Sequence, residues 1–128
     1  MALRDQLRIL VVDDMSTSRG LITQALESFG IGNITTAADG PGALQSIAKT
    51  PVHLVVSDYN MPGMDGLSLL QALRQGAATK GVGFLLVTGR ADKDILQRGQ
   101  QLGMNNYLTK PFETADLKGA IEAIVGRL

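Results

Sequence analysis

Short apolar runs alternate with longer segments of helical periodicity along the whole chain. The first run, residues 7–12, is almost entirely apolar, which is typical of a strand buried on both faces of a parallel sheet. By the same reasoning the pattern predicts five strands, at residues 7–12, 33–37, 52–57, 83–88 and 106–109.

Between these runs, apolar residues recur three or four positions apart, which predicts helices with one buried face. The five predicted helices run from a cap at Ser16, Thr17 or Ser18 to Gly30, from Asp39 to Pro51, over residues 66–74, over residues 92–102, and from a cap at Thr114 to the end of the chain. Strands and helices in strict alternation imply right-handed crossovers and a parallel sheet covered on both faces. We therefore expect an α/β three-layer sandwich that forms one domain over residues 1–128.

Composition narrows the classes of function. Twelve basic residues balance twelve acidic ones and are scattered, so the positive footprint of a nucleic-acid binder is missing. The absence of Cys excludes disulfides, thiol catalysis and Cys-ligated zinc, and no apolar run reaches the roughly 20 residues of a membrane span. We expect a cytoplasmic monomer that contacts neither nucleic acid nor membrane directly.

Polar residues that can handle a metal or a phosphoryl group follow four of the predicted strands. They are Asp13 and Asp14 after the first strand, Asp58 after the third, Thr88 at the end of the fourth and Lys110 after the fifth. Because the carboxyl ends of parallel strands meet at one edge of a sheet, we expect these side chains to converge on one site.

The adjacent carboxylates Asp13 and Asp14 repel each other, and a hard divalent cation such as Mg²⁺ would relieve that repulsion. Taken alone, such a pair more often consists of one helix cap and one solvated side chain, but the other polar residues at the strand ends favour the metal here. Asp58 stands between an apolar strand and a run of turn residues, so its carboxylate should be displayed on a loop. It is able to attack phosphorus, to bind the metal, or to do both with its two oxygens.

Thr88 and Lys110 supply a neutral hydroxyl donor and a compact positive charge, which a phosphoryl group on Asp58 would need. The alternatives are an ordinary strand threonine and a solvated lysine. The peptide bond between Lys110 and Pro111 can adopt the cis form, which would fix the direction of the lysine side chain.

These residues stand in the motifs VVDD, SDYNMPGMDG, LLVTG and NYLTKPF, whose order and spacing cover nearly the whole chain. In them the chain resembles a response regulator receiver domain, of the CheY-like, stand-alone chemotaxis kind. The resemblance implies a flavodoxin-like fold with strand order 2-1-3-4-5. It also implies Mg²⁺ bound by Asp13 or Asp14, by Asp58 and by the backbone carbonyl of Asn60, and phosphorylation of Asp58 by a histidine kinase.

The resemblance further implies a switch that catalyses only its own phosphorylation and dephosphorylation. Thr88 would move toward the phosphoryl group, and Tyr107 would turn inward to fill the vacated space, although Tyr107 fits ordinary core packing equally well. The surface formed by the helix at 92–102, the strand at 106–109 and the last helix would then change. The implied partners are a CheA-like chemotaxis kinase upstream and a FliM-like flagellar motor switch protein downstream. A phosphate sink and a phosphorelay intermediate remain alternatives for the output.

Two other functions share parts of this pattern. A haloacid-dehalogenase-type phosphatase also uses an Asp nucleophile, Mg²⁺ and Lys, but it places two Asp residues one apart on its first strand, whereas Asp13 and Asp14 are adjacent. A flavin-binding domain would need a phosphate loop after the first strand, and none is present. The chain also departs from the commonest chemotaxis pattern at Gly89 and Arg90, which we expect to affect access to Asp58 and the lifetime of its phosphoryl group.

Overall fold

A five-stranded parallel sheet forms the middle layer of the protein. The computed structural model describes residues 3–90 and 92–128. The strands follow the spatial order β2-β1-β3-β4-β5, which confirms the order 2-1-3-4-5 expected from the sequence. Their bounds are β1 Arg8–Val12, β2 Asn33–Ala37, β3 Leu54–Asp58, β4 Gly83–Thr88 and β5 Asn106–Thr109.

Six helices are present among the described residues, where the sequence predicted five. The additional helix is a single turn before the first strand, and four residues are too few to show a helical period in the sequence. The bounds are α1 Leu3–Gln6, α2 Ser16–Ser28, α3 Gly40–Lys49, α4 Gly66–Gln75, α5 Lys93–Gln101 and α6 Thr114–Val125. In the described part of the chain, no helix has the length and apolar character needed to cross a membrane.

Helices cover both faces of the sheet because the side chains of each strand alternate between two separate cores. On one face, Leu10, Val55 and Leu86 pack against the buried sides of α3, α4 and α5. On the other face, side chains such as Ile9 and Val56 pack against α2 and α6. Each fully buried aliphatic side chain stabilises the fold by about 1.5–3 kcal/mol relative to exposure. Strands β3 and β4 are buried at every position, which fixes the central part of the sheet.

Two of the predicted helix caps were wrong. Helix α2 begins at Ser16 directly after the strand end, so the hydroxyls at 16–18 lie inside its first turn and Met15 occupies the cap position. Helix α6 is capped by Glu113 rather than Thr114, and the backbone N–H of Glu113 donates to the Asp116 carboxylate at 2.9 Å. A carboxylate three residues into the helix can satisfy that N–H, which leaves Thr114 as the first helical residue.

The guanidinium of Arg74 holds the starts of β4 and β5 in place. It donates to the backbone oxygens of Val82 at 2.7 Å and Gly103 at 2.9 Å, and to Asn105 Oδ1 at 3.1 Å. The same Asn105 oxygen accepts from the backbone N–H of Phe84 at 2.8 Å. Burial lowers the pKa of Arg74, although a guanidinium stays protonated in proteins. This network sets the relative position of the two strands whose ends carry Thr88 and Lys110.

Gly66 lets the start of α4 approach the loop that follows β3. Its backbone N–H donates to the carbonyl of Tyr59 at 2.8 Å. A Cβ at this position would collide with the backbone oxygen of Asp58 and would lie 3.0 Å from Cα of Tyr59. Neither backbone atom can move without displacing Asp58, so the site requires glycine here.

We expect Gly66→Ala to lower the free energy of unfolding by about 3 kcal/mol, because the added methyl group displaces backbone rather than a flexible side chain. The matched control is Gly119→Ala in α6, where a Cβ would meet nothing within 4 Å. This control should raise stability by about 0.8 kcal/mol through helix propensity. Urea unfolding followed by circular dichroism measures both variants, and equal stability changes in the two would contradict the packing argument.

Candidate functional site

Three acidic side chains meet at the carboxyl edge of the sheet. Asp13 follows β1 directly and Asp58 ends β3, and the neighbouring pair Val12 and Ser57 is in register across the two strands. Asp13, Asp14 and Asp58 can each offer an oxygen within 4.8 Å of the others. Asp13 is fully buried, Asp58 is 7% exposed and Asp14 is exposed. The convergence expected from the strand order is therefore present for all three carboxylates.

Asp13 carries a buried oxygen that the surrounding protein leaves unsatisfied. Its Oδ1 accepts from the backbone N–H of Met15 at 3.0 Å, and its backbone carbonyl accepts from Arg19 Nη1 at 2.7 Å. Its Oδ2 is buried and has no hydrogen-bond partner within residues 3–90 and 92–128. Because buried carboxylate oxygens are normally paired, this oxygen fits the role of a ligand to a cation. Three carboxylates at an open rim are a donor set that a hard divalent cation such as Mg²⁺ accepts.

Lys110 brings the positive charge of the site. Its Nζ lies 3.5 Å from Asp58 Oδ1 and 3.7 Å from Asp13 Oδ2. The Lys110–Pro111 peptide bond is cis, as the sequence allowed. The Lys110 side chain is 29% exposed, so its two ion pairs are less screened by water than surface pairs are. The ammonium thus lies where it would contact any group added to Asp58.

The surroundings of Asp58 disfavour its ionised form. Burial of the carboxylate raises its pKa, and the nearby charge of Asp13 acts in the same direction. The ammonium of Lys110 acts in the opposite direction but does not restore the ordinary value. A second positive charge would therefore stabilise the ionised carboxylate, which is the form that can attack an electrophile.

Thr88 reaches the same rim but its hydroxyl is engaged elsewhere. The residue is buried at the end of β4, and its Oγ1 accepts from the backbone N–H of Arg90 and donates to the backbone carbonyl of Arg90, both at 3.0 Å. The Arg90 side chain points away to form an exposed ion pair with Asp92 at 3.1 Å. The expected contact between Thr88 and a group on Asp58 would require this hydroxyl to leave the loop.

The two remaining predicted positions lie on the surface. Tyr107 is 41% exposed on β5, so its ring faces outward rather than filling the core. Asn60 is exposed in the loop two residues beyond Asp58. The outward ring does not fit ordinary core packing, and an inward turn of Tyr107 stays a prediction.

One residue of the site was missed. The sequence treated Ser18 as a possible helix cap, whereas its Oγ accepts a hydrogen bond from Lys110 Nζ at 3.2 Å. A signal was available, because Ser18 precedes the buried residues Ile22 and Leu26 at intervals of four and therefore lies on the inward face of α2.

Comparison with known proteins identifies the family. The family model of the response regulator receiver domain matches residues 9–122. A probable chemotaxis protein CheY of Rhizobium etli is 44% identical over 128 residues, covering 100% of this chain and 99% of that protein. The chemotaxis protein CheY of Pseudomonas aeruginosa is 39% identical over 122 residues, covering 95% and 98% of the two chains.

Solved structures agree with this assignment. The chemotaxis protein CheY4 of Vibrio cholerae superposes with a TM-score of 0.87 at 30% identity, covering 92% of this chain and 98% of that one. The receiver domain of a sensor histidine kinase from Pseudomonas aeruginosa superposes with a TM-score of 0.84 at 29% identity, covering 94% and 98%. That structure has a magnesium ion coordinated in its active site cleft. The sequence matches, the shared flavodoxin-like fold and the acidic rim agree, and the chain belongs to the response regulator receiver domain family.

Proposed function

We propose that the protein is a single-domain response regulator that accepts a phosphoryl group on Asp58 in a Mg²⁺-dependent reaction. The observation that carries this proposal is the meeting of Asp58 with two further carboxylates and with the ammonium of Lys110 at one rim. Such a site has a nucleophile, ligands for a cation and a charge that can receive a phosphoryl oxygen. The magnesium ion in the cleft of the related receiver domain supports the choice of metal.

The phosphoryl transfer follows from the position of Asp58. A carboxylate oxygen of Asp58 attacks phosphorus, and the bond from phosphorus to a phosphohistidine nitrogen, or to the acetate oxygen of acetyl phosphate, breaks. The electron pair of that bond stays with the leaving nitrogen or oxygen. Space for the donor is available beside the site, because a Cβ at Gly89 would meet nothing within 4 Å.

In this proposal Asp13, Asp14, Asp58 and the carbonyl of Asn60 hold Mg²⁺. When bound, the ion supplies positive charge that offsets the repulsion among the carboxylates and the incoming phosphoryl oxygens. The unsatisfied Asp13 Oδ2 is the oxygen with most to gain from such a ligand. Lys110 remains available for the phosphoryl group because its ammonium has no lone pair with which to bind a metal.

Phosphorylation would convert this site into a switch. Asp58 gains negative charge and three acceptor oxygens, which Lys110 can reach from its present position. Thr88 would exchange its two hydrogen bonds with Arg90 for one with the phosphoryl group, which releases the loop between β4 and α5. Tyr107 would then turn inward, and the surface formed by α5, β5 and α6 would change.

The upstream partner in this proposal is a CheA-like chemotaxis histidine kinase, and the downstream partner is a FliM-like flagellar motor switch protein. Relatives named as chemotaxis proteins over nearly the full length of this chain support that choice. The protein acts as a switch for such partners rather than as an enzyme for an outside substrate.

Incubation with acetyl phosphate and Mg²⁺ should add one phosphoryl group to the protein, seen by intact mass, because Asp58 presents the nucleophile. Asp58→Asn should abolish the adduct, since an amide is a poor nucleophile. Asp39→Asn is the matched control, because Asp39 is exposed, caps α3, and can be replaced by Asn as a cap. An equal adduct on Asp58→Asn, or none on the native protein, would contradict the proposal.

Lys110→Ala should bind Mg²⁺ as tightly as the native protein or more tightly, because it removes a positive charge near two proposed ligands. The same variant should lose most of the phosphorylation-dependent NMR shifts in α5 and β5. Calorimetry measures the first effect. Lys49→Ala, at an exposed helix end, is the control for removing one charge. Weaker Mg²⁺ binding in Lys110→Ala alone would show that the assignment of Lys110 is wrong.

Asp58→Asn should stabilise the metal-free protein near neutral pH. Since the pKa of Asp58 is raised in the folded state, folding becomes less favourable as pH rises from the unfolded pKa toward the folded one, and the ionised carboxylate is destabilising above it. The advantage of the variant should vanish below the unfolded pKa of about 3.9. Urea unfolding over a pH series without Mg²⁺ measures this difference. A difference that is independent of pH would contradict the electrostatic explanation.

A further inference from the structure

The ammonium of Lys110 is held by three acceptors that come from three different elements. Asp58 Oδ1 at 3.5 Å comes from β3, Asp13 Oδ2 at 3.7 Å follows β1, and Ser18 Oγ at 3.2 Å comes from α2. The contacts with the two carboxylates are ion pairs, and the contact with Ser18 is a hydrogen bond. The shortest of the three distances is to the neutral hydroxyl of Ser18, and only that one is within ordinary hydrogen-bonding range.

Ser18 differs from the two carboxylates in that its attraction for Lys110 does not depend on their charge. A cation held by Asp13 and Asp58 would offset their negative charge and would repel the ammonium. The hydroxyl keeps its acceptor lone pairs under those conditions. Its backbone is fixed, because Ile22 and Leu26 on the same face of α2 are buried in the core.

Lys110 needs such a restraint because one side of it is open. Ser18 and Lys110 both border a groove of about 470 Å³ between α2 and the segment that begins at Pro111. The other walls of the groove are mainly apolar, with Leu21 and Phe112 among them. A flexible lysine stem can swing into this space, away from Asp58, unless something holds its end.

We propose that Ser18 is a positioning residue for Lys110. Its hydroxyl keeps the ammonium beside Asp58 when a cation neutralises the carboxylates, so that the charge is in place before the phosphoryl group arrives. This inference rests on the proposed phosphorylation of Asp58. The proposed role requires a hydroxyl at position 18. An alanine there would leave the helix intact and would remove the one acceptor of the ammonium that is not a carboxylate.

The test compares Ser18→Ala with Ser18→Thr, which keeps the hydroxyl, and with Ser16→Ala, which removes an exposed hydroxyl from the same helical turn. With Mg²⁺ and acetyl phosphate, Ser18→Ala should phosphorylate about tenfold more slowly, the lower end of the loss expected for one hydrogen bond to a charged group. The two other variants should stay within about twofold of the native rate, since each keeps the hydroxyl at position 18. In a Lys110→Ala background, Ser18→Ala should have no further effect, because the two residues act through one contact.

A second readout does not depend on phosphorylation. The NMR signal of the Lys110 ammonium should exchange with water faster in Ser18→Ala than in the native protein or in Ser18→Thr, with Mg²⁺ present. The inference would be overturned if Ser18→Ala had the native exchange rate or the native phosphorylation rate. It would also be overturned if Ser18→Ala slowed phosphorylation in the Lys110→Ala background as much as it does in the native protein. If the native protein forms no adduct on Asp58, the proposed function fails and the inference fails with it. A native adduct with an unaffected Ser18→Ala variant removes the inference alone.

Discussion

Repulsion between two carboxylates in a largely buried position is the constraint on which the rest of the site depends. Asp13 has no exposed surface and Asp58 has little, and the parallel pairing of β1 with β3 forces them together. One ammonium, that of Lys110, faces both. Burial raises the pKa of Asp58, the charge of Asp13 adds to that rise, and one buried oxygen of Asp13 is left without a hydrogen-bond partner among the described residues. A bound cation would stabilise the ionised carboxylate of Asp58 and would also give the unpaired oxygen of Asp13 a ligand partner.

The fold makes this arrangement with little demand on local sequence. A parallel sheet places every carboxyl end at one edge, so residues distant in the chain become neighbours without loops built for the purpose. The constraint falls instead on the segments that connect strands and helices, where one stretch of backbone must pass close to another. Gly66 permits that approach behind Asp58, and Arg74 fixes the starts of the two strands that deliver Thr88 and Lys110.

The sequence predicted the sheet and the meeting of its polar ends because both depend on patterns of burial and on topology. Strands β2, β4 and β5 have the predicted bounds. The sequence pattern could not predict details that depend on a single contact. The caps of α2 and α6 depend on which of several neighbouring polar groups reaches a backbone N–H. Ser18 was misassigned for the same reason, because its partner Lys110 is 92 residues away.

The hydrogen bonds between Thr88 and Arg90 use only the backbone of Arg90, while its guanidinium pairs with Asp92 at the surface. In this loop the backbone of Arg90 fixes the Thr88 hydroxyl, whereas the side chain of Arg90 sets the surface charge. A substitution at position 90 can alter the surface charge of the loop and leave the starting position of the Thr88 hydroxyl as it was. In the proposed switch, partner recognition and the threshold of switching could thus be adjusted independently within three consecutive residues.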